Sequence, residues 1–432
     1  MPSSRDRLEA TLARLFTRAA EERVFTKLYP QAARAAADAS DARDKAGVSL
    51  GPLDGKIVSI KDLFDVAAEP TLAGSAIRRD VPAAERDALI VRRLRQAGAV
   101  IIGKTAMTEF AFTAVGINPH FGTPGNAADP TRIPGGWSSG AGVSAAEGTS
   151  EIAIGSDTGG SVRIPAALNG VVGFKPTASR IPLDGVFPLS FTLDSVGPLA
   201  KTVADCVLAD AIMAGGEPVP LVPLPLAGLR IGVPKGRLLE GLEPAVASGF
   251  QRSLNLLEKG GARLIDHAID DLVSAMIDAT KDGTIAGIEA ASVHADWLAD
   301  PELAARVDPR VAGPLARRLS VSASAYIKLI KRRGELARAM DGRLAPLDVL
   351  ALPTVPIIAP EIALLESDRA LQDRADGLLL RNPQVANQFD LTSISLPMPG
   401  MSLPAGLMLF ARHGHDRRLL AIAAAVEAAL GD

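Results

Sequence analysis

The chain has 432 residues, 47% of them apolar and 22% charged, with a formal net charge of −3. That is the make-up of a globular enzyme built as one large α/β domain or two to three ordinary ones, and the slight acidic excess argues against a general binder of nucleic acid or anionic membrane. A single cysteine, Cys206, excludes an internal disulfide framework and a cysteine-based zinc site.

The opening MPSSRDRLEATLARLF lacks the apolar core of a signal peptide. No uncharged apolar run is long enough to span a bilayer, so a cytoplasmic location is expected. Residues 4–46 read as two or three surface helices rich in Ala, Arg, Glu and Asp, forming an N-terminal unit (1–46) ahead of the main domain (47–432). Gly55-Lys-Ile-Val-Ser-Ile-Lys61, after the turn Pro52-Leu-Asp-Gly55, is a β-branched run and reads as a strand. Ala84–Ala97 carries Leu89, Val91 and Leu94 at helical spacing, and Gly98–Gly103 follows as a buried strand. Helix and strand in alternation point to a doubly wound α/β arrangement.

Residues 122–176 are dense in Gly and Ser with little periodicity, and a long irregular stretch in a compact domain usually serves function. Cys206 lies in the apolar run Val203-Ala-Asp-Cys-Val-Leu and reads as a small buried hydrophobe. Residues 215–226, GGEPVPLVPLPL, hold four prolines and form a connector crossing within one fold. A strand restarts over 229–234, helices follow to about 340, Asp348–Pro353 is another apolar strand, and Asp416–Leu430 is an amphipathic final helix. No internal repeat is visible.

Gly98-Ala-Val-Ile-Ile-Gly103-Lys104-Thr105 matches the phosphate-loop pattern letter for letter. The context rejects it: a helix precedes Gly98, and a β-branched strand fills the space where a flexible loop must wrap a phosphate. None of the five histidines sits in a recognisable triad setting. His413 and His415 flank Gly414 in a polar turn and read as surface residues.

Chemistry concentrates in PGGWSSGAGVSAAEGTSEIAIGSDTGGSVRIP, residues 134–165. Ser161 closes Asp157-Thr158-Gly159-Gly160-Ser161, where glycines let successive N–H groups converge on one point. A serine needs a base to act as a nucleophile, and a lysine serves when burial lowers its pKa. Lys61 ends an apolar strand; on position alone it reads equally as a lysine snorkelling from a strand end.

These segments resemble the amidase signature family. GKIVSIKDLFDVA is similar to its GxPxxxKDxxDVxG motif, GSDTGGSVRIPAALNGVVGFKPT to its GGSxRxPAxxxGxxGxKPT motif, and the C-terminal LPAGLMLFARHGHDRRLLAIAAAVE to its usual ending. Gly98 to Phe110 also matches a family segment. The resemblance runs from about Leu50 to Ala428. It implies a single-domain α/β/α sandwich around a large mixed β-sheet, and hydrolysis of carboxamides to a carboxylate plus ammonia or amine, with no metal or organic cofactor. It implies Lys61 as catalytic base, Ser161 as the acyl-forming nucleophile, and Thr158, Gly159 and Gly160 as oxyanion donors. Asp157 and Arg163 are expected to pair and hold the loop.

One position departs from the family. A serine in a cis peptide linkage normally bridges nucleophile and base, 24 residues before the nucleophile, and here that position is Trp137. An indole N–H donates but does not accept, so it relays no proton. Three readings stay open: an impaired amidase; an active one in which Ser138 replaces the bridge or Lys61 acts directly or through water; or a non-hydrolytic binding protein. The ammonia-supplying subunit of a tRNA-dependent amidotransferase is a further alternative. The implied partner is a small-molecule amide, with a homodimer the family habit, and with neither nucleic acid nor membrane. Specificity is expected from Phe187–Phe191, Ala312–Lys331 and Arg381–Asp390, with a lean toward small or aliphatic substrates.

Overall fold

Apolar β-branched runs bounded by turns become strands that hydrogen-bond side by side. The computed structural model, which describes residues 2–18 and 21–431, contains β1 (Phe25–Leu28), β2 (Ile57–Lys61), β3 (Val100–Thr105), β4 (Ile152–Ser156), β5 (Val172–Lys175), β6 (Val196–Ala200), β7 (Arg230–Pro234), β8 (Arg263–His267), β9 (Val349–Pro353), β10 (Thr392–Pro397) and β11 (Gly406–Ala411). They form one 11-stranded sheet in the order β1-β3-β2-β4-β6-β5-β10-β11-β9-β7-β8. Strands β2, β3 and β4 run parallel, as do β7, β8 and β9; the centre is antiparallel. Every residue of β2, β3, β4, β5, β6, β9 and β11 is buried, so helices cover both faces of the sheet. This is the single-domain mixed α/β fold expected. Among the described residues, no helix is long and apolar enough to cross a membrane.

Several expectations need correction. The N-terminal segment holds two helices, Ser4–Thr17 and Pro30–Ala46, with β1 between them joining the edge of the main sheet. It is not purely a surface layer, because Leu8, Leu12 and Leu15 are buried against Val100 and Ile102 of β3. The helix expected over 84–97 starts only at Leu89. The Ala84 and Ala88 amides donate to the Glu69 and Asp65 carbonyls, which keeps residues 84–88 out of the helix. The stretch 122–176, read as irregular, contains helices Ser139–Glu147 and Arg163–Asn169 as well as β4 and β5. Both helices are buried almost throughout, so their small residues show no amphipathic period.

The connector 215–226 has no helix or strand, and the Leu224 amide ties it to the Ala421 carbonyl at 3.0 Å. Cys206 is buried, and burial pushes its thiol pKa well up, as suits an inert packing residue. Lys104 of the rejected phosphate-loop match pairs with Asp62 at 3.1 Å and donates to the Pro70 carbonyl at 2.9 Å, both inside the protein.

Candidate active site

Strands β2 and β4 pair in parallel, with Val58 opposite Ile152 and Ile60 opposite Ile154, so their C-terminal ends open on the same side of the sheet. In α/β sheets that is where ligands bind. Lys61 ends β2 and Ser156 ends β4. The Lys61 side chain is fully buried, and its Nζ donates to Ser156 Oγ at 2.8 Å. Burial pushes the Lys61 pKa down to about 7, against the opposing pull of the Asp194 and Asp157 carboxylates. A lysine with that pKa is partly neutral at physiological pH and able to take a proton.

Beyond β4 the chain turns through residues 157–161. Asp157 Oδ1 and Oδ2 accept Arg163 Nη2 and Nε at 2.9 and 3.0 Å, and both side chains are fully buried. Burial alone would raise the Asp157 pKa, but the Arg163 guanidinium, helped by Lys175 and Asn387, holds it at about 2. The same carboxylate accepts the Gly160 and Val162 amides at 2.9 and 3.1 Å. This corrects one sequence-based role: the Gly160 N–H is already engaged. The Thr158, Gly159 and Ser161 amides have no acceptor among the described residues, so they are the N–H groups open to a developing oxyanion. Gly160 is needed for its shape instead. Its φ is +132°, and a Cβ there would lie 2.7 Å from Pro383 and 2.8 Å from Ile164.

Trp137 follows Gly135 and Gly136, both at positive φ and both packed against the helix Arg163–Asn169, where a Cβ would meet Leu168 and Pro165 at 2.5 Å. No cis peptide bond occurs among the described residues, so the linkage preceding Trp137 is trans, unlike the bridging serine of the family. The indole is 4% exposed, and its Nε1 has no hydrogen-bond partner among the described residues. Its ring edge lies 4.0 Å from where a Cβ on Gly159 would sit, next to the 157–161 loop. Ser138 is buried, and its hydroxyl donates to the Ser156 carbonyl at 3.4 Å. Lys61 and Ser138 thus meet the same residue, Ser156, from two sides.

A cavity of about 240 Å³ opens over this loop, lined among others by Trp137, Thr158, Gly159, Ser161, Arg318 and Asp376. Leu189, Arg318, Gln384 and Gln388 come from the three segments expected to set specificity. Sequence reasoning missed Ser156, which lies in the quoted motif but received no role; Asp194; and the cavity residues Asp376, Thr280 and Thr284 to Gly287. Asp194 is pushed up to about 6 by burial, although the Thr158 hydroxyl and the Ser190 and Leu189 amides all donate to it. Only strand pairing brings Asp194 and Ser156 near Lys61. No hydrogen bond joins a histidine to Ser161 among the described residues; His120, His267, His294 and His413 bond elsewhere.

The family model described as Amidase matches residues 6–420. The chain belongs to the amidase family. It is an amidohydrolase, and its reaction class is hydrolysis of a C–N bond. This amidase is similar to 2-amino-5-chloromuconic acid deaminase of Comamonas testosteroni, at 35% identity over 92% of this chain and 87% of that one. It is similar also to a glutamyl-tRNA(Gln) amidotransferase subunit of Chloroflexus aurantiacus, at 33% identity over 96% and 91%. A crystal structure of an amidase superposes with a TM-score of 0.87 at 31% identity, covering 100% of this amidase and 97% of that chain.

Proposed function

We propose that this amidase cleaves small-molecule carboxamides through an acyl-enzyme on Ser161, with Lys61 as the base. The observation that carries the reading is the fully buried Lys61, at a pKa of about 7, anchored at 2.8 Å to the strand end that leads directly into the Ser161 loop. Ser161 Oγ attacks the amide carbonyl while its proton moves toward neutral Lys61. The carbonyl oxygen, now negative, rests on the Thr158, Gly159 and Ser161 amides. Collapse of the tetrahedral adduct breaks the C–N bond and releases the amine with the returned proton. Water then attacks the acyl ester, yields the carboxylate and restores Ser161.

The proton path is the weak link. Ser156 Oγ, in contact with Lys61, both donates and accepts, whereas the Trp137 indole at the family's bridging position only donates. Ser138 is the hydroxyl next to Trp137 and the substitute relay in this reading. The interrupted bridge favours a second reading, an amidase of reduced activity. Ammonia release from a panel of small amides, with Ser161→Ala as the blank, tests the proposal, and equal release from both proteins would overturn it.

Two results are expected from the same assay. First, kcat/KM rises about tenfold per pH unit below pH 7 and levels off above, because the base works only when Lys61 is neutral. Lys61→Arg, which stays protonated, removes the rising limb together with the activity; a flat profile in the unaltered chain would remove Lys61 from the base role. Second, matched esters are hydrolysed faster than amides, because an alkoxide leaves with less need of a returned proton than an amine. Esterase and amidase rates reduced in equal proportion would show that the relay does not serve the leaving group.

A further inference from the structure

The helix Ile285–Val293 carries Glu289, a carboxylate 4% exposed and surrounded by hydroxyls rather than cations. One of its oxygens accepts the Ser190 hydroxyl and, at 3.0 Å, the Thr192 amide. The other accepts the Thr192 and Tyr326 hydroxyls. The buried acids Asp157, Asp210 and Asp308, by contrast, each pair with an arginine. Arg333 lies close enough to feel the Glu289 charge, but its own donors go to the Gln388 and Asn387 carbonyls at 2.9 and 3.1 Å. Burial, and then the Glu289 carboxylate, raise the Tyr326 pKa, which keeps the phenol a donor. A buried charge is costly, and an apolar side chain of similar volume would pack here without that cost. What the carboxylate supplies is geometry: donors from the loop at 190–192 and from the helix Ala323–Leu344 converge on one group.

Those segments border the Ser161 cavity. Leu189 and Leu193, on either side of the clamped residues, line it, as do Thr284 to Gly287 at the start of the Glu289 helix. Leu193 and Ile285 pack with Leu329 of the helix Ala323–Leu344 in a small apolar cluster of their own. The same loop then reaches the oxyanion donors. One oxygen of Asp194 accepts the Leu189 and Ser190 amides at 2.9 and 3.1 Å, and the other accepts the Thr158 hydroxyl. A path of hydrogen bonds thus leads from Tyr326 to Glu289, through Ser190 from side chain to backbone, and on to Asp194 and Thr158. It ends at the residue whose amide is one of the open oxyanion donors.

We propose that Glu289 is a positioning residue: it clamps the loop 189–194 so that Asp194 holds Thr158 in place for the oxyanion, and it acts on catalysis through that path. The role rests on the amide-hydrolysis reading above for the part played by the Thr158 amide. Glu289 touches neither substrate nor nucleophile in this assignment.

The test combines kinetics with hydrogen–deuterium exchange, using butanamide and its matched ester ethyl butanoate. Glu289→Gln keeps the size but turns one acceptor oxygen into a donor, so either the Ser190 and Thr192 amide side or the Thr192 and Tyr326 hydroxyl side loses its acceptor. It is expected to lower kcat by about ten- to a hundredfold, a part of what deleting an oxyanion donor costs, with KM little changed. Glu289→Asp should retain part of the rate. Tyr326→Phe, which removes one half-buried hydroxyl and threatens folding least, should lower kcat by less. Thr158→Val breaks the far end of the path, so adding Glu289→Gln to it should lower kcat no further. Effects that multiply in the double variant would overturn the proposal, as would a change confined to KM. Exchange decides even where turnover is too slow to compare. Glu289→Gln should speed exchange in 189–194 and also in 157–162, whereas Leu344→Ala, a buried position at the far end of the helix Ala323–Leu344, should lower stability and leave both kcat and the 157–162 exchange unchanged. Faster exchange in 189–194 alone, or in neither segment, would overturn the proposal. The two readings fail separately. Coupled exchange without ammonia release, even from the Trp137→Ser form, removes the hydrolytic reading and leaves the Glu289 clamp standing. Release that Ser161→Ala abolishes, with kcat and exchange untouched by Glu289→Gln, does the reverse.

Discussion

Trp137→Ser is expected to raise ammonia release from small amides by about 10²–10⁴-fold in kcat/KM, the range a positioned acid–base group contributes. A serine hydroxyl at that position accepts the Ser161 proton and donates onward to Lys61, which the indole cannot do. The gain carries a structural cost. Trp137 is 4% exposed and packed in the wall of the cavity, so its truncation should destabilise the protein by about 3–5 kcal/mol. Activity up and stability down in one variant is a signature that a bystander residue would not produce. Kinetics and urea unfolding on the two proteins provide both readouts. Comparable activity in both forms would mean that the relay runs elsewhere, and Ser138 and Ser156, which meet at 3.4 Å beside Lys61, become the next residues to change.

Arg163→Met should cost about 3–5 kcal/mol of stability, because it leaves the fully buried Asp157 carboxylate without its cation. The pH dependence gives this prediction its sign. In the unaltered protein Asp157 has a folded pKa of about 2, below the usual 3.8, so its stabilising contribution is present above pH 4 and is lost as the pH falls through 2. Without Arg163, burial dominates and drives the Asp157 pKa upward, so the variant is relatively favoured by acid. The deficit should therefore be larger at pH 7 than at pH 4.5, and Asp157→Asn added to Arg163→Met should recover part of it. A deficit that grows toward acid pH would show that the pair does not hold the loop in this way. Activity is expected to fall as well, since Asp157 also fixes the Gly160 and Val162 amides on either side of Ser161.

Much of this protein was legible without coordinates. The strands at 57–61, 100–105, 230–234 and 349–353 announced themselves as short β-branched or apolar runs between turns, and the Asp416–Gly431 helix through its apolar face. The Asp157–Arg163 pair was foreseeable because an acid and a base six residues apart flank a glycine turn. The helices Ser139–Glu147 and Arg163–Asn169 were not, because a helix buried on all sides loses its periodic signal. Likewise β1 and β8 were passed over. Short, half-exposed edge strands carry little pattern of their own.

By itself the sequence determined the family, the reaction class and the anomaly at Trp137, because these reside in residue types at fixed spacing along one chain. Only the tertiary structure decided which groups meet. Lys61 and Ser156 are 95 residues apart and come together through the parallel pairing of β2 and β4. Gly160 proved to be occupied by Asp157, a matter of where one N–H points. Arg318 and Asp376 enter the Ser161 cavity from helices far along the chain. Burial lowers the Lys61 pKa to about 7, and burial is a property of everything packed around the side chain rather than of its neighbours in sequence.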